Sequence, residues 1–109
     1  MSFSVRTLPN FEKEAKRLAK KYSSLKKDLL QLIESLEKTP KQGDFLGNDF
    51  YKVRLAISSK GKGKSGGGRV ITCLRIFKEI VYLTSIYDKS EKANITDEEI
   101  KFLAKQIPF

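Results

Sequence analysis

The sequence predicts an α+β fold, with an antiparallel sheet of about four strands packed on an N-terminal helical hairpin and a C-terminal helix closing the order β-α-α-β-β-β-α. Three observations carry this prediction. Two successive stretches place apolar residues at helical spacing, three later stretches alternate or run apolar at strand length, and a capping signal at Thr96 opens a last helix. With 109 residues the chain reads as one domain over residues 1–109, large enough to bury one core.

The elements follow in order. Phe3 to Thr7 alternates, with Phe3 and Val5 on one side and Ser4 and Arg6 on the other, as a short strand does. Leu8-Pro9-Asn10 turns the chain, and Pro9 suits a first helical turn, where its missing N–H costs nothing. Phe11, Ala15, Leu18, Ala19 and Tyr22 then share one helical face, and Leu25, Leu29, Leu32, Ile33 and Leu36 repeat those offsets. Ser23-Ser24 separates the two helices, so they are expected to lie antiparallel, with Ser24 capping the second and Asp28 near its positive end. Thr39-Pro40 ends that helix, and Lys41 to Asn48 reads as a loop.

Tyr51, Val53, Leu55 and Ile57 alternate with Lys52, Arg54, Ala56 and Ser58, a strand with one apolar face. Two further strands, Arg69 to Phe77 and Ile80 to Tyr87, join through a turn near Lys78-Glu79. Both are apolar on either face, as strands covered on both sides are. Thr96 and Glu99 have capping-box spacing and Ile95 and Ile100 that of a hydrophobic staple, so a helix starts there and Pro108 ends it.

Charge is concentrated rather than spread. From Tyr51 to Lys78 the chain carries eight basic and no acidic residues, +8 of a formal net +9, so the rest sums to +1. A strip of this kind on two strands and their loop attracts a polyanion, with nucleic acid the first candidate. The nine lysines and arginines of the helical hairpin, offset by five acids, read instead as a solvated outer face.

Several chemistries are excluded or disfavoured. The chain has no histidine and one cysteine, which removes imidazole-based acid–base catalysis, Ser-His-Asp and Cys-His nucleophiles and the usual Cys/His zinc sites. No metal or cofactor is expected. Cys73, between Thr72 and Leu74 in mid-strand, reads as a small buried residue. Gly63-Lys64-Ser65 resembles the end of a nucleotide-binding loop, but Ser58 stands where the first glycine belongs, and glycines and a strand follow instead of a helix. No apolar run can cross a bilayer and Met1 to Leu8 is no signal peptide, so a cytoplasmic protein without a membrane partner is expected.

The connection Ser58 to Gly68 holds five of the seven glycines and three lysines. Its N–H groups can cradle phosphate oxygens, or it can be a flexible soluble hairpin loop. Arg69 at its exit, Lys52 and Arg54 on the partner strand, and Tyr87 and Lys89 ending the third strand can together grip a phosphodiester, neutralise transition-state charge and supply a proton donor. The alternative is cross-strand solvation, or pairing with Asp88 and Glu91.

The run YKVRLAISSKGKGKSGGGRVIT, followed by IVYLTSIYDKSEKANIT, resembles the RelE/HigB group of bacterial type II toxins, and the helical hairpin and capped last helix extend the likeness over the whole chain. The resemblance implies the toxin of a toxin–antitoxin pair, an endoribonuclease that cleaves messenger RNA, commonly on the ribosome. The substrate's own 2′-OH attacks the adjacent phosphate, without metal. It assigns functional positions to Lys52, Arg54, Arg69, Tyr87 and Lys89, with Arg69 on phosphate, and RNA or ribosome contacts to Lys60, Lys62, Lys64 and Arg75. A cognate antitoxin, itself able to bind operator DNA, is the implied protein partner. Two other readings stay open at this point, a gyrase-inhibiting toxin of the same fold and a non-enzymatic nucleic-acid-binding module.

Overall fold

The computed structural model describes residues 2–61 and 63–108, and of residues 64 and 65 the backbone only. The elements run β1 (Ser4–Thr7), α1 (Pro9–Lys21), α2 (Leu25–Lys38), β2 (Asp44–Gly47), β3 (Phe50–Leu55), a 3-10 turn at Ser58–Lys60, α3 (Gly63–Gly66), β4 (Gly68–Arg75), a second 3-10 turn at Ile76–Lys78, β5 (Ile80–Asp88) and α4 (Asp97–Ala104). The fold class and element order are those expected, with differences in detail.

The sheet has five strands, in the order β1-β5-β4-β3-β2. The added strand is β2, in the segment read as loop, which pairs antiparallel with β3 through Asp44–Lys52 and Phe45–Tyr51. Its turn is made by Asn48 and Asp49, both at positive φ, a conformation their short polar side chains tolerate. The sheet is also not wholly antiparallel. After β1 the chain crosses through both helices before returning, so β1 runs parallel to β5, with Val5 opposite Val81.

Each face of the sheet carries its own apolar cluster. On one face Tyr51, Val53, Leu55, Val70, Leu74, Val81 and Leu83 pack with Phe11 and Leu18 of α1 and Leu25, Leu32 and Leu36 of α2. On the other, Phe50, Ile71, Cys73, Ile80, Tyr82 and Tyr87 pack with Ile95, Ile100, Leu103 and Ile107. This is why β4 and β5 are apolar on both sides. Burial pushes the Cys73 thiol up to about 11, leaving it protonated and inert.

Helix ends follow the sequence in part. The Thr96–Glu99 capping box forms with both of its bonds, and Ile95 and Ile100 are both buried beside it. Helix α4 nevertheless stops at Ala104, before Pro108. Gln106 N–H donates to the Leu103 carbonyl and Ile107 N–H to that of Ala104, a tightening that tucks Ile107 under the sheet. Ser24 occupies the position before α2 but does not cap it. Its hydroxyl donates to the Asp28 carboxylate at 2.8 Å. Strand β4 ends at Arg75 rather than Phe77, because Ile76–Lys78 turns the chain over Glu79 at positive φ, leaving Phe77 fully exposed.

Candidate active site

The hairpin β3–β4 and the pair β4–β5 fix the site by register. Arg54 lies opposite Arg69, and Arg69 opposite Tyr87, so three side chains from three strands form one row on one face. Strand alternation puts Lys52 on that face too, one pleat along. It is the face on which α4 packs. The Lys52 ammonium donates to Asn94 Oδ1 at 3.2 Å, in the approach to α4, and the Lys92 ammonium lies 5.3 Å from the centroid of the Tyr87 ring. Lys92 is itself paired with Glu99.

Burial differs along the row. Arg54 is exposed, whereas Arg69 is 6% and Tyr87 4% exposed. Arg69 Nη1 donates to the Gly68 carbonyl at 3.0 Å, which ties the guanidinium back to its own strand. The Tyr87 hydroxyl is buried without a hydrogen-bond partner among the described residues. Burial pushes its phenol up, more than the Arg69 charge pulls it down, and Glu99 raises it further, so Tyr87 is a protonated donor at neutral pH. Two guanidiniums directly opposite repel each other, and a bound anion removes that cost.

The other expected residues scatter. Lys89 is exposed just past β5, and its backbone N–H donates to the Gly67 carbonyl at 3.2 Å. Arg75 lies at the far end of β4, about 20 Å along the strand from Arg69 at 3.3 Å per residue, and pairs with Asp49 at 3.2 Å. The Lys60 side chain is only 9% exposed and turns to the opposite face of the sheet, where its ammonium meets Asp88 at 2.6 Å. Lys62 lies outside the described residues, as does the side chain of Lys64.

Two buried carboxylates organise the start of the basic loop. Asp28 accepts from the Ser58 N–H at 2.9 Å and hydroxyl at 2.7 Å and from Ser24, and Asp88 accepts from Lys60, Tyr22 and the Ser90 N–H and hydroxyl. Burial alone would raise both carboxyls, but these donors outweigh it and hold both below the usual carboxylate range. Asp88 and Glu91 thus serve Lys60, Lys21 and Arg17 rather than the Arg54–Arg69–Tyr87 row. Asp28 carries a sequence signal, since it interrupts the apolar stripe between Leu25 and Leu32. Asn94 and Lys92 carry none.

Among the described residues no group of three or more His, Cys, Asp or Glu side chains is placed to hold a metal ion, and no helix is long and apolar enough to cross a membrane.

The architecture and the row define a small α+β protein whose mixed sheet presents a cationic face beside a C-terminal helix. A family model described as the RelE toxin of the RelE/RelB toxin–antitoxin system matches residues 10–107. The chain belongs to the RelE toxin family. Two solved structures share its fold. An E. coli RelE toxin carrying two arginine-to-alanine substitutions, in the free state, is 19% identical with a TM-score of 0.68, covering 99% of this chain and 100% of that one. The isolated E. coli RelE toxin is 16% identical with a TM-score of 0.62, covering 97% of this chain and 100% of that one.

Proposed function

We propose that this toxin is an endoribonuclease that cleaves messenger RNA engaged with the ribosome, using the substrate's 2′-OH as nucleophile and no metal, and that a cognate antitoxin covers its basic strip. In such a step the 2′-oxygen bonds to phosphorus as the bond to the 5′-oxygen breaks. One group takes the 2′-OH proton, another protonates the departing 5′-oxygen, and cations stabilise the charge gathering on the phosphoryl oxygens.

The observation that carries this reading is the row Arg54–Arg69–Tyr87, two cations and a protonated phenol opposite one another on adjacent strands. Arg69 holds the phosphate, joined by Arg54. Tyr87 is the donor to the leaving oxygen, and Lys52 or Lys89 completes the proton transfer. Lys62, Lys64 and, at the far end of β4, Arg75 are taken as further RNA or ribosome contacts away from this centre, with Lys60 acting through the loop that it anchors.

Inducible expression of the wild-type chain and of Arg69→Ala, with mapping of messenger 5′ ends, tests the proposal. New ends inside translated messages are expected for the wild type and not for the variant. Growth arrest with intact messages, or equal cleavage by Arg69→Ala, overturns it.

A further inference from the structure

Lys52 stands between two acceptors. Asp44 lies directly opposite it on β2, at the outer edge of the sheet, and strand pairing sets the two side chains on the same face. Asn94 lies on the other side, in the segment that leads from β5 into α4. A carboxylate attracts an ammonium more strongly than an amide oxygen does. The Lys52 ammonium nevertheless goes to Asn94 Oδ1, at 3.2 Å, and among the described residues it forms no ion pair with Asp44. It is thereby drawn over the sheet toward α4 and the cluster that holds Tyr87, instead of out toward the edge.

Asn94 can hold Lys52 because Asn94 is itself held. Its Oδ1 also accepts from the Ile95 N–H at 3.0 Å. Both donors are N–H groups, which only the amide oxygen can accept, so the orientation of the amide is set and both lone pairs of Oδ1 are used. Ile95 is buried beside Ile100 in the cluster under α4, and the next residue, Thr96, caps that helix. The oxygen that meets Lys52 is thus anchored to the start of α4. The same segment brings the Lys92 ammonium to 5.3 Å from the centroid of the Tyr87 ring, so it is fitted to the site at two points.

We propose that Asn94 is a positioning residue for RNA cleavage, acting through Lys52: it holds the ammonium on the α4 side of the Arg54–Arg69–Tyr87 row, against the pull of Asp44. This rests on the endoribonuclease reading above and takes Lys52 as the residue that completes the proton transfer. A lysine side chain rotates freely about four carbons. Fixing it before the RNA arrives removes an ordering cost that the transition state would otherwise carry. Direct contact between Asn94 Nδ2 and the RNA is the alternative, and kinetics separate the two.

The test is a double-mutant cycle on purified protein, with kcat and KM measured for cleavage of a message on programmed ribosomes. Asn94→Ser leaves an oxygen near the Ile95 N–H, keeping the start of α4, but is too short to reach Lys52. Its urea midpoint is expected to stay at the wild-type value, with kcat lowered about tenfold and KM unchanged. In the Lys52→Ala background the same substitution is expected to change neither constant further. A wild-type kcat in Asn94→Ser overturns the proposal. A raised KM at wild-type kcat makes Asn94 an RNA contact and overturns it too. A full tenfold loss in the Lys52→Ala background does the same, since the effect is then one of α4 placement. Lys52→Ala cutting at the wild-type rate overturns the positioning role and leaves the endoribonuclease standing. A wild type that cuts no message overturns both readings.

Discussion

The Asp88 carboxylate and the Lys60 ammonium meet at 2.6 Å directly behind the Arg69–Tyr87 pair, on the opposite face of the sheet. Asp88 is fully buried, and its other oxygen takes the Tyr22 hydroxyl from the end of α1. One side chain thus joins the end of β5, the start of the basic loop and the helical hairpin. Removing it leaves a buried ammonium without its partner. Asp88→Ala is expected to destabilise the fold by about 3 kcal/mol, read as a lower midpoint in urea, with Lys60→Ala on the same scale. A loss under about 0.5 kcal/mol would assign the pair to the class of weak surface bridges.

Acid is expected to act through the same groups. Asp28 and Asp88 both have folded-state carboxyls held below their unfolded value of about 3.9. Such a group contributes stability that is fully present above the unfolded value and lost as pH falls through the folded one. The urea midpoint is therefore expected to be level between pH 7 and about pH 5 and to drop steadily below about pH 4. The double variant Asp28→Asn, Asp88→Asn starts lower and falls less steeply. An equal acid slope in that variant would place the sensitivity elsewhere.

If Tyr87 is the proton donor proposed above, Tyr87→Phe is expected to separate activity from stability. Its hydroxyl is buried without a partner among the described residues, so the folded protein carries the cost of desolvating it. Tyr87→Phe keeps the ring against Lys92 and the α4 cluster and removes that cost. The expected result is equal or higher stability, by up to about 1 kcal/mol, with RNA cleavage lowered about 100-fold or more. A variant that cuts as well as wild type would take proton donation away from Tyr87.

Salt dependence tests the charge row without any chemistry. Neutralising one single-strand phosphate releases counterions worth a slope of about 0.7 in log affinity against log salt. Arg54 is exposed and lies in the row opposite Arg69, so Arg54→Ala is expected to lower the slope for a non-cleavable RNA by about that amount. Arg75→Ala, paired with Asp49 at the other end of β4, is expected to change it less. The reverse ranking would move the RNA path to the Arg75 end of the sheet.

How much of this is legible in the sequence depends on the range of the interaction. The helices declare themselves, because Leu18, Leu25 and Leu36 stand at helical spacing and the Thr96–Glu99 box is local. The row is legible for a similar reason, since Arg54 and Arg69 flank one loop and a hairpin sets them opposite. Strand β2 is hidden because its Phe45 is exposed and four residues show no alternation, its one signal being the Asn48-Asp49 turn. The inward turn of Lys60 is beyond reading, as nothing near it names Asp88, 28 positions away. In the sequence it is one more lysine of a soluble-looking loop, and only packing sends it to the far face.

The glycines of that loop are expected to differ sharply in what they tolerate. Gly61 adopts φ +74, with nothing within 4 Å of where a Cβ would stand, so alanine there meets only the strain of the left-handed conformation, about 1 kcal/mol. Gly67 has no such φ, but its added Cβ would lie 2.2 Å from the Leu55 carbonyl, 3.1 Å from the Gly63 carbonyl and 3.1 Å from the Ile57 nitrogen. All three are backbone atoms, so relief requires moving the loop off the end of β3. That motion pulls on the bond from the Lys89 N–H to the Gly67 carbonyl and on Arg69, two residues along. Gly67→Ala is therefore expected to cost about 3 kcal/mol in urea unfolding and to lower cleavage beyond what stability explains, while Gly61→Ala costs about 1 kcal/mol and cuts nearly normally. If Gly61→Ala proves the more damaging, conformational freedom rather than close approach governs the loop, and the tie between Gly67 and the Arg69 row is wrong.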